Sequence, residues 1–174
     1  MNKGIDIEGI PSEDELRNSP GFPPDSVQKQ KKIVIIECVQ EIPCNPCEEA
    51  CKFNAIKIGN PITNLPVVDF EKCIGCGQCI AKCPGLAIFL LDYNYSKENA
   101  SLSFPYEYYP LPQIGDQVIA VDRYGRDVCL AKVIKIDNKK SNECTAVVTI
   151  LFPKEHFRTV RSMKRIRGEN DDQE

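Results

Sequence analysis

Eight of the ten cysteines in this chain fall between positions 38 and 83. Thiolates are soft donors, and so dense a run of them, behind a chain start that does not read as a secretory signal, is expected to serve metal ligation before disulfides. The tightest run is Cys73-x2-Cys76-x2-Cys79-x3-Cys83-Pro84, which has the spacing of a [4Fe-4S] ligand run. Three cysteines at intervals of three wrap one cluster, while the fourth points away and ligates a second cluster in two-cluster proteins. Gly75 and Gly77 let the backbone come close to inorganic sulfide and offer it N–H groups. Pro84 ends the local helix and redirects the chain. Zinc takes two separated cysteine pairs in a tetrahedron, a geometry that four cysteines in so short a run serve poorly.

An earlier set is less regular: Cys38-x5-Cys44-x2-Cys47-x3-Cys51, followed by Lys52 rather than proline. Regular spacing would put its first ligand at Glu41. That ligand is read as Cys38, reached across a longer loop. A three-iron cluster on three cysteines, or a carboxylate ligand from Glu41, are the alternatives. Crossing the fourth ligands then assigns Cys38, Cys44, Cys47 and Cys83 to cluster 1, and Cys73, Cys76, Cys79 and Cys51 to cluster 2. Two [4Fe-4S] clusters are expected, shielded from water by Ile42, Phe53, Ile56, Phe70, Ile74, Ile80, Leu86 and Ile88. Cys129 and Cys144 lie in apolar runs and read as buried small side chains. His156, the one histidine, has no evident metal partner. Arg158, Arg161, Lys164, Arg165 and Arg167 read as a solvated basic face, with docking to an acidic partner as the second reading.

The elements that must position these cysteines repeat. Ile33–Ile36 reads as a strand running into Cys38, and Pro66–Phe70 as one running into Cys73. Each cysteine loop is followed by an apolar segment, Ala55–Ile58 and Ala87–Leu90. This is an internal repeat of about 35 residues and defines a cluster domain over 33–91. Residues 1–32, polar and carrying the run Pro20-Gly21-Phe22-Pro23-Pro24, are expected to be an extended N-terminal arm, either disordered or ordered against a partner. Residues 92–112 read as a connector. Short β-runs at Gln117–Val121, Val128–Ile136 and Cys144–Leu151 predict a small β-domain over 113–167, and 168–174 form an acidic tail. The expected fold class is α+β: a ferredoxin-like two-cluster domain followed by a barrel-like all-β domain.

Lys and Arg total 22 against 25 Asp and Glu, a net charge of -3, which argues against a nucleic-acid binder working through a basic surface. No apolar run approaches the ~20 residues that span a bilayer. The polar, acidic start at Met1–Glu15 is unlike a signal peptide, so a cytoplasmic protein without a membrane span is expected. No phosphate-binding glycine loop and no nucleophile–base set is visible, so the chain has no catalytic site of its own to offer. Such clusters move single electrons, whereas most metabolite oxidations release a hydride. A flavin is the natural converter, and here it would sit on another subunit.

Over residues 38–84 the sequence resembles the two-cluster bacterial ferredoxins. More narrowly, the stretch Ile36-Glu37-Cys38-Val39-Gln40-Glu41-Ile42-Pro43-Cys44-Asn45-Pro46-Cys47-Glu48 resembles the ferredoxin-type subunit of FAD-dependent amino-acid dehydrogenases, as do Gly115–Val118 and Asp122–Gly125 downstream. These are the multi-subunit proline, hydroxyproline or sarcosine-type oxidases. The resemblance implies a hetero-oligomer in which flavoprotein (FAD) subunits oxidise an amino acid or amine and this chain relays the electrons. A free-standing ferredoxin serving several enzymes, and a protein-binding module with purely structural clusters, are the rival readings.

Overall fold

The computed structural model describes residues 4–166. Its first part departs from the expected extended arm. Three short helices form, α1 (Gly4–Glu8), α2 (Glu13–Asn18) and α3 (Asp25–Gln30). The reason is local: Ser12 and Glu15 make a reciprocal capping box, each side chain accepting the other's backbone N–H, which satisfies two otherwise unpaired donors at the start of α2. Glu15 also accepts the N–H of Ile5, tying α1 to α2. Leu16 is fully buried, and Gln28 donates to the Pro23 carbonyl at 2.7 Å.

After α3 come β1 (Ile33–Ile36), α4 (Pro46–Glu49), β2 (Ile56–Lys57), β3 (Val67–Val68), β4 (Ile88–Asp92), β5 (Asn99–Tyr106), β6 (Gln117–Val121), β7 (Asp127–Asp137), β8 (Ala146–Pro153) and β9 (Ser162–Met163). A seven-stranded antiparallel sheet runs in the order β1-β4-β5-β8-β7-β6-β9, and β2 pairs separately with β3. The N-terminal helices lead along β1: the Gly21 carbonyl accepts from Ile36 N, and the Pro20 carbonyl from Val68 N. Glycine is needed at 21, because a Cβ there would lie 2.9 Å from both Ile36 Cβ and the Pro66 carbonyl oxygen.

The expected connector over 92–112 contains β5, one of the sheet's inner strands. Its sequence alternates: Ala100, Leu102, Phe104 and Tyr106 enter the main core, while Ser101 and Ser103 face the other side. Serines and Pro105 read as turn formers, but Pro105 lies beyond the stretch that pairs with β4, where no ladder donor is required on that side. The later strands match the expected runs closely. They belong to the same sheet as β1 and β4 rather than to a separate unit.

This sheet explains the continuous apolar runs beside the cysteines. Side chains alternate across a strand. Ile35 of β1 and Leu91 of β4 therefore enter the main core beneath β5–β9, whereas Val34, Ile36, Ile88 and Leu90 enter a second core with Cys47, Cys79, Ile56 and Ile80. Covered on both faces, β1 and β4 have no polar side to show. They fasten the cysteine loops to the rest of the chain.

Candidate metal centre

In the first cysteine segment Pro46 opens α4, a position where its missing N–H costs nothing. The helix carries Cys47 inward to 8% exposure. In the second, Asp69 accepts the N–H groups of Glu71 and Lys72 and starts the loop. Gly75 and Gly77 then turn at φ of +68° and +77°. A Cβ at Gly75 would stand 2.7 Å from the Lys32 carbonyl, so a close backbone approach to the start of β1 depends on this glycine.

Both segments close with one geometry. Three residues after the fourth cysteine a non-glycine residue takes the left-handed conformation, Asn54 at φ +50° and Leu86 at φ +52°. The next residue then turns its N–H back onto the cysteine: Ala55 N to Cys51 Sγ at 3.2 Å, and Ala87 N to Cys83 Sγ at 3.4 Å. Lys52 and Pro84 occupy equivalent places in these turns, so the missing proline leaves the turn intact. The sequence signal was present as Cys-x3-Ala-Ile in both halves.

The cysteines gather in two groups. Cys51, Cys73, Cys76 and Cys79 line one small cavity, together with Gly75, Gly77, Phe53 and Ile74. Cys38, Cys44, Cys47 and Cys83 gather in the other. Burial pushes the Cys47 thiol up to about 12, helped by Cys83, Cys44 and Cys38. Burial, then Cys83 and Cys44, raise Cys38. Cys83 is raised by burial against the opposing N–H groups of Ala87 and Gly85. Cys79 is raised by burial and then by Cys73 and Cys76, and it also feels Cys47, so the two groups adjoin. Buried thiols that penalise one another's ionisation suit a cationic iron core, which holds thiolates in place. Among the described residues no three His, Cys, Asp or Glu side chains close on one point as single-ion ligands do. Cubane ligands each bind a different iron and stand further apart, so the donor sets fit such a core. Glu41 is exposed.

A residue that sequence reasoning passed over stands beside Cys38. Glu37 is buried and receives two arginines from distant chain: Arg123 through Nε at 2.7 Å and Nη2 at 2.5 Å, and Arg161 through Nε at 2.6 Å. Burial pushes the carboxyl up, but Arg161 and Arg123 outweigh it and hold it below its ordinary value. Arg161, 3% exposed, also donates to the Val160 and Phe157 carbonyls. It is thus removed from the expected solvated basic face, while Arg167 lies outside the described residues. With partners 86 and 124 positions away, nothing local in the sequence reveals this pairing.

Other expectations change as well. Cys129 is only partly buried, and Cys144 is exposed at φ +74°, just before β8. Of the expected shielding residues, Ile56, Ile80 and Ile88 are buried, whereas Ile42, Phe53 and Ile74 are exposed. Phe53 and Ile74 nonetheless line the rim of the cysteine cavity. His156 lies against Glu155 at the surface. No helix among the described residues is long and apolar enough to cross a membrane.

Comparison with known proteins gives a match to the 4Fe-4S binding domain over residues 66–89. The chain is 34% identical over 76 residues to the ferredoxin-type protein NapF of Haemophilus influenzae, covering 41% of this chain and 43% of that one. It is 48% identical over 48 residues to the polyferredoxin-like subunit of the aliphatic sulfonate oxidoreductase of Pyrococcus furiosus, covering 28% of this chain and 27% of that one. Over 38 residues it is 50% identical to one subunit of the Na(+)-translocating ferredoxin:NAD(+) oxidoreductase complex of Acetobacterium woodii, covering 22% of this chain and 11% of that one. The chain thus spans less than half the length of these curated relatives. No solved structure gives a significant match.

Proposed function

We propose that this ferredoxin-like iron–sulfur electron-transfer protein carries two [4Fe-4S] clusters and relays single electrons inside a larger cytoplasmic oxidoreductase complex. Its donor would be a flavin subunit oxidising an amino acid or amine. The observation that carries the two-cluster reading is the grouping of eight cysteines into two adjoining sets of four, each drawing its fourth member from the other half of the repeat. Bound there, the clusters would supply reversible one-electron storage.

The chain's own residues hold the thiolates, bring Ala55 and Ala87 N–H groups to Cys51 and Cys83, and cover the inner sides with Val34, Ile56, Ile80 and Ile88. Hydrogen bonds to ligand sulfur and exclusion of water are the means by which a protein sets cluster potential. The complex is supported by the relatives whose names describe subunits of oxidoreductases. The amino-acid dehydrogenase rests on the resemblance of residues 36–48 and the downstream β-segments alone.

The test is anaerobic purification from the native source, with iron and sulfide counting and EPR before and after dithionite. About eight irons per chain with the signal of two interacting reduced clusters is the expected result. A co-purifying FAD protein that reduces this chain only with an amino-acid or amine substrate would support the finer reading. About four irons would remove one cluster, and purification as a lone chain would remove the complex.

A further inference from the structure

Between the second cysteine segment and the β5-β8-β7 face of the sheet lies an open groove of about 730 Å³. Its floor is polar, with Ser103 and Thr149 sharing a hydrogen bond of 2.9 Å, and its edge includes Cys76, an exposed cysteine of the cavity group. Five lysines line it, Lys32, Lys52, Lys82, Lys135 and Lys139, against three carboxylates, Glu49, Asp92 and Asp137. Lys82 is paired with Glu143 and Lys139 with Asp137. Lys32 and Lys52 are exposed and make no ion pair among the described residues, and Lys135, also exposed, acts on Asp137 beside Lys139.

A cationic concavity on a chain of net charge -3 runs against the molecule's overall sign. Through the exposed Cys76 it adjoins the cysteine group that would hold cluster 2. The lysines come from the chain before β1, the turn after α4, the helical turn Ile80–Lys82, strand β7 and the turn after it. They therefore ring the groove instead of converging on one point. Distributed charge of this kind steers and orients a protein surface.

We propose that this groove is the docking face for an acidic segment of the protein that exchanges electrons with cluster 2. The proposal rests on the relay reading above and assigns it a side of the molecule. The transfer is one electron from the reduced cluster to the partner's one-electron acceptor, with no proton or bond change required.

The test uses the full chain with its clusters, reduced by dithionite and freed of excess reductant. Two outer-sphere one-electron oxidants serve as probes, the Co(III)-EDTA anion and the hexaamminecobalt(III) cation, each followed by stopped flow over a salt series. The anion is expected to react fast, to slow as salt rises, to be inhibited competitively by a polyglutamate peptide, and to slow at least about tenfold in the triple variant K32E/K52E/K135E. The cation should show none of these losses. An equal reversal at Lys57, Lys97 and Lys154, none of which lines the groove, should slow the anion far less. Equal effects of the two reversals, or no effect of polyglutamate, would overturn the proposal. So would saturable binding of flavin mononucleotide that the triple variant abolishes and polyglutamate does not displace, because the groove would then be a small-molecule site. Iron content and EPR on each preparation separate the two claims: absent clusters defeat the relay reading, whereas intact clusters without charge dependence defeat only the docking face.

Discussion

Around Cys73–Cys83 the chain turns on Gly75 and Gly77, both at positive φ. Around Cys38–Cys51 the corresponding places hold Pro43 and Asn45, with Pro46 next, so two backbone donors are missing where the other half offers two. Yet both halves end in the same left-handed turn and the same N–H to Sγ contact, at Ala55 and at Ala87. The difference lies in what holds each loop. Near the second, Lys31 Nζ donates to the Cys73 carbonyl at 3.1 Å, Asp69 organises the turn, and the short spacing does the rest. In the first, Cys38 is separated from Cys44 by a longer loop, and the residue before it is fixed by Arg123 and Arg161 from the far end of the sheet. The regular site is built by local sequence, and the irregular one is completed by tertiary structure.

The comparison breaks most sharply at Arg161. Replacing it by methionine leaves Glu37 buried with one arginine, and loss of one partner of a buried pair costs about 3–5 kcal/mol. Urea unfolding should show that loss. Iron should fall towards about four per chain, with cluster 1 the one affected. A variant that keeps its full iron and its stability would show that Cys38 needs no help from the sheet.

The next effect is on ligation itself. C38A should lower iron to about four, or leave a three-iron centre with its own EPR signal, whereas E41Q should keep about eight. The reverse pattern would restore Glu41 as the ligand. Smaller still is G75A, which must adopt φ +68° and pushes a Cβ against the Lys32 carbonyl. A loss of at least about 1–2 kcal/mol is expected by denaturation. No such residue exists to test in the first half, where Pro43 stands.

The sign of one pH effect follows from the turn that carries Arg123. Burial raises the Asp122 carboxyl, but Arg126 and the N–H groups of Arg126 and Tyr124 more than offset this and hold it below its ordinary value. Its stabilising contribution is therefore present above the ordinary carboxylate range and is lost as pH falls through the lowered value. D122N should remove that dependence and cost about 1 kcal/mol, read as a flatter acid limb in an unfolding series. K52P is expected to have the smallest effect, within about 1 kcal/mol and with unchanged iron, because Pro84 already occupies the equivalent place.

This contrast also sets how much could be read in advance. Cysteine spacing, the strands flanking each loop and the later β-runs are local patterns, and they were legible. The helices of residues 4–30 span only five or six residues each, too few to show a period, and only Ser12 and Glu15 hinted at one. Strand β5 was hidden because its outward positions are serines and it contains Pro105. The pairing of Glu37 with Arg123 and Arg161 joins residues that no short-range pattern connects. Of what escaped, the long-range pairing of Glu37 is the part that bears on the less regular of the two cysteine sets.

The central claim is that two clusters exchange their fourth ligands, and paired substitutions with iron counting test it most directly. If Cys51 and Cys76 share a cluster, C51A/C76A loses one centre and keeps about four irons, whereas C76A/C83A strikes both and keeps almost none. If each half instead holds its own cluster, the outcome is inverted: C76A/C83A would retain about four irons and C51A/C76A would lose both.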